Sequence, residues 1–353
     1  RLIECAMALI GSLPGGLALV NVMSCMLFGA ISGSAVAATS AIGSFMVPEM
    51  KKHGYSAEFG AAVTASAATT GMLIPPSNIL IIYAIASGGV SIAALFVAGY
   101  VPGILVGLAL MTVCSLYAIR HNYPVTARLP IKVALEKIVA ALPSLLLVFI
   151  VIGGIIGGIF TATEAGAVAV LYALALSVFI YKEINVSALP SLFLKACETT
   201  AIVMLIIGAS SAMSWLLSYT HIPQTISEFF LTLSDNPLVV LLLINLILIV
   251  VGAFIDMTPA VLIFTPIFLP VAEQFGMSPI QFGIMIVLNL SIGLVSPPVG
   301  SVLFVSCAVA KTSIHKIIKP MIPLYAVMFL VLMLVTYVPA ISEALPRFFG
   351  LIG

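Results

Sequence analysis

Charge is scarce in this sequence. Of its 353 residues only 7% are Asp, Glu, Lys or Arg, while 62% are hydrophobic. A soluble domain carries roughly 25% charged residues, so much of this chain must have lipid as its solvent. The charge that is present nearly cancels, leaving +1, which argues against nucleic acid or an acidic surface as partner. Paired cysteines are lacking as well. Cys5, Cys25, Cys114, Cys197 and Cys307 stand far apart, mostly in apolar runs, without disulfide or zinc spacing, and read as small hydrophobes. His53, His121, His221 and His315 fall in connecting segments and never pair at ligand spacing. Alternation of polar and apolar residues in segments of about ten, the mark of a membrane β-barrel, is absent. No secretory signal opens the chain, and Arg1 begins it abruptly, so a trimmed N-terminus is expected.

Long apolar runs are abundant: residues 95–119, 138–160, 165–181 and 238–255. A helical span needs about 20 such residues, so the fold class is an all-α polytopic membrane protein. Two runs are interrupted. Residues 14–31 stop at Ser32-Gly33-Ser34 and resume to Pro48, before Lys51-Lys52-His53; residues 238–255 stop at Asp256-Met257-Thr258-Pro259 and resume to Pro270. Each pair is either one bent span or a re-entrant hairpin, and charge decides.

With both as hairpins and Lys51 and Lys52 cytoplasmic, residues 56–87 cross outward and 95–119 return, placing Arg120, Arg128, Lys132 and Lys137 inside. Residues 138–160 leave and 165–181 come back to Lys182; 187–195 form a short interfacial helix, 199–219 leave, and 222–236 form an outer amphipathic arm. Residues 278–311 return to Lys311, Lys316 and Lys319, and 324–344 leave again. Twelve of the 13 Lys and Arg residues are then cytoplasmic, Arg347 being the exception, as the positive-inside rule asks.

The sequence also repeats. GMLIPPSNILIIYAIA at 71–86 is echoed by GLVSPPVGSVLFVSCAVA at 293–310, with Gly71 on Gly293 and Pro75-Pro76 on Pro297-Pro298, 222 positions on. The same offset carries Pro48 to Pro270, Gly54 to Gly276 and Ser56 to Ser278. An odd number of crossings separates the copies, which makes them inverted, the architecture of secondary transporters with midplane sites. The expected division is a first repeat at 1–119 (hairpin 14–50, broken helix 56–87, helix 95–119), a cytoplasmic connector at 120–137, and a second repeat at 138–353. The second holds scaffold helices, arm 222–236, hairpin 237–273, broken helix 278–311 and a last helix at 320–346.

Proline removes a backbone donor and clashes with the preceding turn, so each Pro-Pro pair frees carbonyls that protein or a water-filled cavity must satisfy at membrane depth. Unwound, oxygen-rich backbone opposite a hairpin tip suits a small hard cation, and the carbonyl end of a half-helix favours it electrostatically. Two such sites follow. The first joins Ser32, Gly33 and Ser34 to the break at Pro75, Ser77 and Asn78. The second joins Asp256, Met257 and Thr258 to the break holding Gly293, Ser296 and Gly300. Asp256 is the carboxylate deepest between apolar stretches, where an unpaired charge is expensive; it reads as an ion ligand, a helix cap, or both. Glu164, in Thr161-Ala162-Thr163-Glu164, fits a capping box. Trp215 and Tyr219 suit an interfacial belt, and Gly153-Gly154 and Gly157-Gly158 suit close helix packing.

The segments GSAVAATSAIGSFMVPEMKKHGY at 33–55, GMLIPPSN at 71–78 and GIFTATEAGAVAVLYAL at 158–174 resemble the large membrane subunit of tripartite ATP-independent periplasmic (TRAP) transporters. The likeness runs the length of the chain and departs at Ala162, where proline is common in the family. It implies further helices upstream and an elevator-type importer of organic acids in the bacterial inner membrane, coupled to Na⁺. It also implies a periplasmic binding protein and a small four-helix membrane subunit of the Q type as partners. The two sodium sites fall on the tips and breaks already named. The substrate carboxylate would lie between the tips, at Ser34, Ala35, Asn78, Thr258, Pro259 and Val299. Sialic-acid transporters of this type look especially similar. A channel would need a continuous polar lining, which no span supplies, and an intramembrane aspartyl protease would need a partner for Asp256. A stand-alone sodium–dicarboxylate symporter with the same inverted hairpins is the nearest alternative.

Cysteines introduced at Lys52 and Gln274, at the bases of the two hairpins, are expected to react with membrane-impermeant thiol reagents from opposite faces; labelling from one face would remove the inverted topology.

Overall fold

Small hydroxyl residues, glycine and proline set the ends of nearly every element. The computed structural model describes residues 1–124, 130–234 and 236–352, and among these every regular element is a helix. Arg128, expected at the cytoplasmic end, lies outside the described residues. After α1 (Leu2–Ile10) come α2 (Gly16–Ser32) and α3 (Ala35–Lys52), joined by two residues. Next are α4 (Ala57–Ala68), running into a 3₁₀ turn (Thr69–Met72), then α5 (Asn78–Ala86) and the long α6 (Ile92–Arg120). A middle group follows, α7 (Ile131–Ile156), α8 (Ala162–Ala175), α9 (Leu189–Tyr219) and the amphipathic α10 (Ile222–Leu233). The chain ends with α11 (Pro237–Phe254), α12 (Met257–Gln274), α13 (Pro279–Leu294), α14 (Ser301–Ala310), α15 (Ile314–Tyr337) and α16 (Ala340–Phe348).

Seven helical segments among the described residues are long and apolar enough to cross a membrane: α6, α7, α8 with its π-helical extension, α9 with the turn before it, α11, α12 and α15. The chain is a multi-pass membrane protein. The caps are local. Ser34, Ser56, Ser91 and Ser278 each accept a bond from the backbone N–H three residues on, at 3.1–3.3 Å. At α8, Thr161 N–H donates to Glu164 Oε2 (2.8 Å) while Glu164 N–H donates to Thr161 Oγ1 (3.3 Å), the expected capping box.

The 222-residue offset holds in the helix boundaries. It carries Ala35–Lys52 onto Met257–Gln274, and the first residues of α4 and α6, Ala57 and Ile92, onto those of α13 and α15, Pro279 and Ile314.

Side-chain register gives the helix directions. Asn21 Nδ2 donates to Thr64 Oγ1 (2.7 Å), and eight residues on Gly29 meets Gly71, so α2 runs parallel to α4. Gly43 sits against Thr64, while Val47 and Met50 sit against Gly60, so α3 runs antiparallel to α4. The chain therefore reverses at Gly33-Ser34, forming a hairpin rather than one bent rod. In the second half Asn289 Nδ2 donates to Asn245 O (2.9 Å) and Oδ1 (2.8 Å), and Gly252 meets Gly293, so α11 runs parallel to α13. The chain then turns in two residues, and α12 packs back on α11 and α13.

The two halves brace each other. Tyr83 Oη, on α5, donates to Pro279 O at the start of α13, and its ring fills the notch left by Gly283. Ser306 Oγ, on α14, donates to Ala61 O on α4 (2.7 Å). Basic residues gather at one end of the bundle: Lys51, Lys311 and Lys316 around one cavity and Arg120, Lys316 and Lys319 around its neighbour. Arg347 lies at the other end, paired with Glu343 (2.8 Å), whose second oxygen accepts from Ser278.

Three expectations change. Residues 187–195 are no separate interfacial helix: a 3₁₀ turn (Val186–Ala188) leads directly into α9, because Pro190 falls in the first turn, where its missing N–H costs nothing. The last span starts at Ile314 and ends at Tyr337, and Pro339 caps a separate α16. Gly153 has nothing within 4 Å of where a Cβ would stand, and Gly154 makes room for the Phe160 ring rather than for another helix. The close backbone approaches are elsewhere: a Cβ on Gly71 would lie 2.3 Å from Gly29 Cα, and one on Gly293 2.5 Å from Gly252 Cα.

Gly71→Val and Gly293→Val are therefore expected to destabilise the fold by about 1–3 kcal/mol or more through overpacking, seen as lower melting temperature and aggregation in size-exclusion chromatography. Gly166→Ala, with open space around it, should be silent.

Candidate functional site

Each Pro-Pro pair, cis in both breaks, removes two consecutive helical donors. The helices it separates are short. At 1.5 Å per residue, α4, α5, α13 and α14 are about 18, 14, 24 and 15 Å long, each below the ~30 Å of a bilayer core.

In the first break the carbonyl of Met72 would take its bond from residue 76, which is proline. Ser77, fully buried, donates its hydroxyl to Met72 O instead (2.5 Å). The first hairpin tip is seated on this break. Gly33 closes α2 in the left-handed conformation (φ 60°), and a Cβ there would fall 3.3 Å from Asn78 Oδ1. The structure thus brings Gly33 to Asn78, with Ser34 and buried Ala35 opening α3 beside them.

In the second break Ser296 Oγ donates back to Ile292 O (2.7 Å), Ser296 N–H takes Gly293 O (2.8 Å), and Tyr325 Oη donates to Val295 O. Leu294 O, whose helical donor would be Pro298, turns toward Gly300. A Cβ on Gly300 would stand 2.5 Å from Leu294 O and 2.7 Å from Ser296 O. Two peptide oxygens therefore converge on a notch that only glycine leaves open.

The second tip differs from expectation. Asp256 is exposed, not buried, and although its backbone occupies the N-cap position of α12, its side chain accepts no capping bond. The tip lies at the surface of the protein, so burial supplies no energetic argument for a counter-ion. A free carboxylate at the helix start remains. Met257 is buried, Thr258 and Pro259 are half-buried in the first turn of α12, and Val299 is exposed in the break. The closest approach described between this hairpin and its break is Gly252 to Gly293, about one turn before Asp256 and Ser296. Among the described residues no three His, Cys, Asp or Glu lie together as metal ligands. The donors on offer are carbonyls, hydroxyls, an amide and one carboxylate, a set for hard cations rather than transition metals.

Against known proteins, residues 1–341 match the family model described as "Tripartite ATP-independent periplasmic transporter, DctM component". The chain belongs to this family. Over 99% of its length it is 53% identical to YgiK of Salmonella typhimurium, covering 80% of that protein. It is 39% identical to the C4-dicarboxylate TRAP transporter large permease protein DctM of Pseudomonas aeruginosa, covering 99% of this chain and 82% of that one. It is 37% identical to the sialic acid TRAP transporter large permease protein SiaM of Vibrio cholerae, with the same two coverages. The large-subunit resemblance is thereby established.

Gly29, Gly252, Tyr83 and Tyr325 were not singled out by the sequence reading. The glycines carried a signal, since Gly29 and Gly252 are related by the repeat with a slip of one residue; the tyrosines carried none.

Gly300→Ala should lower substrate uptake in reconstituted vesicles by about tenfold, equivalent to about 1.4 kcal/mol, because the methyl group displaces the Leu294 and Ser296 carbonyls. Gly153→Ala, placed in open space, should transport normally.

Proposed function

We propose that this subunit imports an organic acid across the bacterial inner membrane by Na⁺ symport, with both Na⁺ and the acid as cargo. Carrying the proposal is the pair of peptide oxygens, Leu294 O and Ser296 O, that converge at Gly300. The second cation would be held there together with Asp256 and Thr258. The first would be held by Ser32, Gly33 and Ser34 with Ser77 and Asn78, where tip and break already touch.

Helix ends give the cargo its electrostatics. At each tip and break a carbonyl end (α2, α11, α13 and the turn after α4) is followed along the chain by an amide end (α3, α12, α14, α5). Carbonyl ends favour cations and amide ends favour carboxylates, so one fold offers both kinds of seat at the same depth. The acid's carboxylate would lie between Ser34, Ala35 and Asn78 on one side and Thr258, Pro259 and Val299 on the other. Names of relatives, C4-dicarboxylate for one and sialic acid for another, support a carboxylate-bearing substrate.

The family and the charge pattern support the rest of the proposal. The two hairpins are re-entrant, the two repeats at 1–119 and 138–353 are inverted, and the basic end faces the cytoplasm. A periplasmic binding protein delivers the acid, a small Q-type subunit braces the exposed helices, and transport is an elevator movement. The alternative, a stand-alone sodium–dicarboxylate symporter, differs in needing no binding protein for uptake.

Asp256→Ala is expected to abolish sodium-dependent uptake in proteoliposomes supplied with the cognate binding protein, while inserting normally. Full uptake with unchanged sodium dependence would remove the second site, and uptake without any binding protein would favour the stand-alone symporter.

A further inference from the structure

We propose that the groove between α6 and α15, at the basic end of the bundle, binds the headgroup of an anionic glycerophospholipid, phosphatidylglycerol. The groove has a volume of about 1180 Å³. One wall is apolar and continuous with the outer face of the bundle: Leu116 is 63% exposed and Ile322 59%. The other is cationic, with Arg120 from the end of α6 and Lys316 and Lys319 from the start of α15. Glu58 is the carboxylate in the lining, and Thr312 Oγ1 donates to it (3.4 Å). His121 and His315 also line the groove; His121 stacks on Tyr117 (4.0 Å between ring centres).

Three fixed cations against one carboxylate select an anion, and an apolar wall open to the acyl region selects a lipid over a soluble acid. Basic pockets between membrane helices on the cytoplasmic side are established lipid-headgroup sites in general. The prolines of α15 add a chemical preference. Pro320 and Pro323 cannot donate to the carbonyls of Lys316 and Lys319, which lie four residues before them. Those carbonyls are acceptors beside the cations, and phosphatidylglycerol offers both parts: a phosphate for the cations and glycerol hydroxyls for the carbonyls. The leaflet rests on the orientation proposed above; the groove and its chemistry do not.

The test is native mass spectrometry of the intact protein, stripped in uncharged detergent and titrated with phosphatidylglycerol or phosphatidylcholine. Retention of phosphatidylglycerol over phosphatidylcholine is expected, and its affinity should fall about tenfold or more in the triple variant R120Q/K316Q/K319Q. K51Q/K52Q, at the same end of the bundle but outside the groove, should bind as the parent does. Equal retention by the triple variant, equal binding of both lipids, or displacement by millimolar inorganic phosphate or succinate would overturn the proposal; displacement would make the groove a site for soluble anions. Should the triple variant not fold, a photoactivatable phosphatidylglycerol on the parent protein decides. Labelling within 113–121 and 315–323 supports the site, and labelling confined elsewhere sinks it. None of these readouts involves uptake, so they stand or fall independently of sodium coupling.

Discussion

Two backbone contacts without side chains, Gly29 on Gly71 and Gly252 on Gly293, hold the rest in place. Lipid supplies no hydrophobic drive between helices, so membrane helices associate through close packing and buried hydrogen bonds. Here both act together. The glycines bring the first hairpin arm against the unwinding helix, and Asn21 or Asn289, one or two turns away, supplies the polar bond that fixes register. Because each contact lies about a turn before a hairpin tip and a helix break, its closeness determines how near those two ends come.

The two halves solve the same backbone problem differently. Proline takes a donor from Met72 and from Leu294. In the first half a buried serine hydroxyl replaces it; in the second the carbonyl turns toward Gly300 instead. An unpaired carbonyl at membrane depth is tolerated only where something else satisfies it. The two breaks thus present different oxygen sets, one with a serine hydroxyl engaged on Met72 O and one with Leu294 O turned toward Gly300 beside Ser296 O, which accepts the Gly300 N–H (3.1 Å).

Much of this was legible in the sequence. Hydropathy and the 222-residue echo located both hairpins, both breaks and the α3–α12 correspondence, because proline, glycine and serine act on their own backbone and need no distant partner. What escaped depends on tertiary packing. Gly29 has no local feature that distinguishes it from Gly153, yet one touches a backbone and the other touches nothing. Asp256 sits between apolar runs, which suggests burial, but apolar neighbours in sequence cannot tell an exposed tip from a buried one. Val338-Pro339 ended a helix where composition alone continued it.

Tyr83 and Ser306 tie the halves crosswise, each reaching from the second piece of one broken helix to the first piece of the other. Neither half is then an autonomous folding unit. Expressed alone, the first would carry a phenol with nowhere to insert, and the second would present an empty slot beside Gly283. Two halves that echo each other in sequence are in this way bound into one unit.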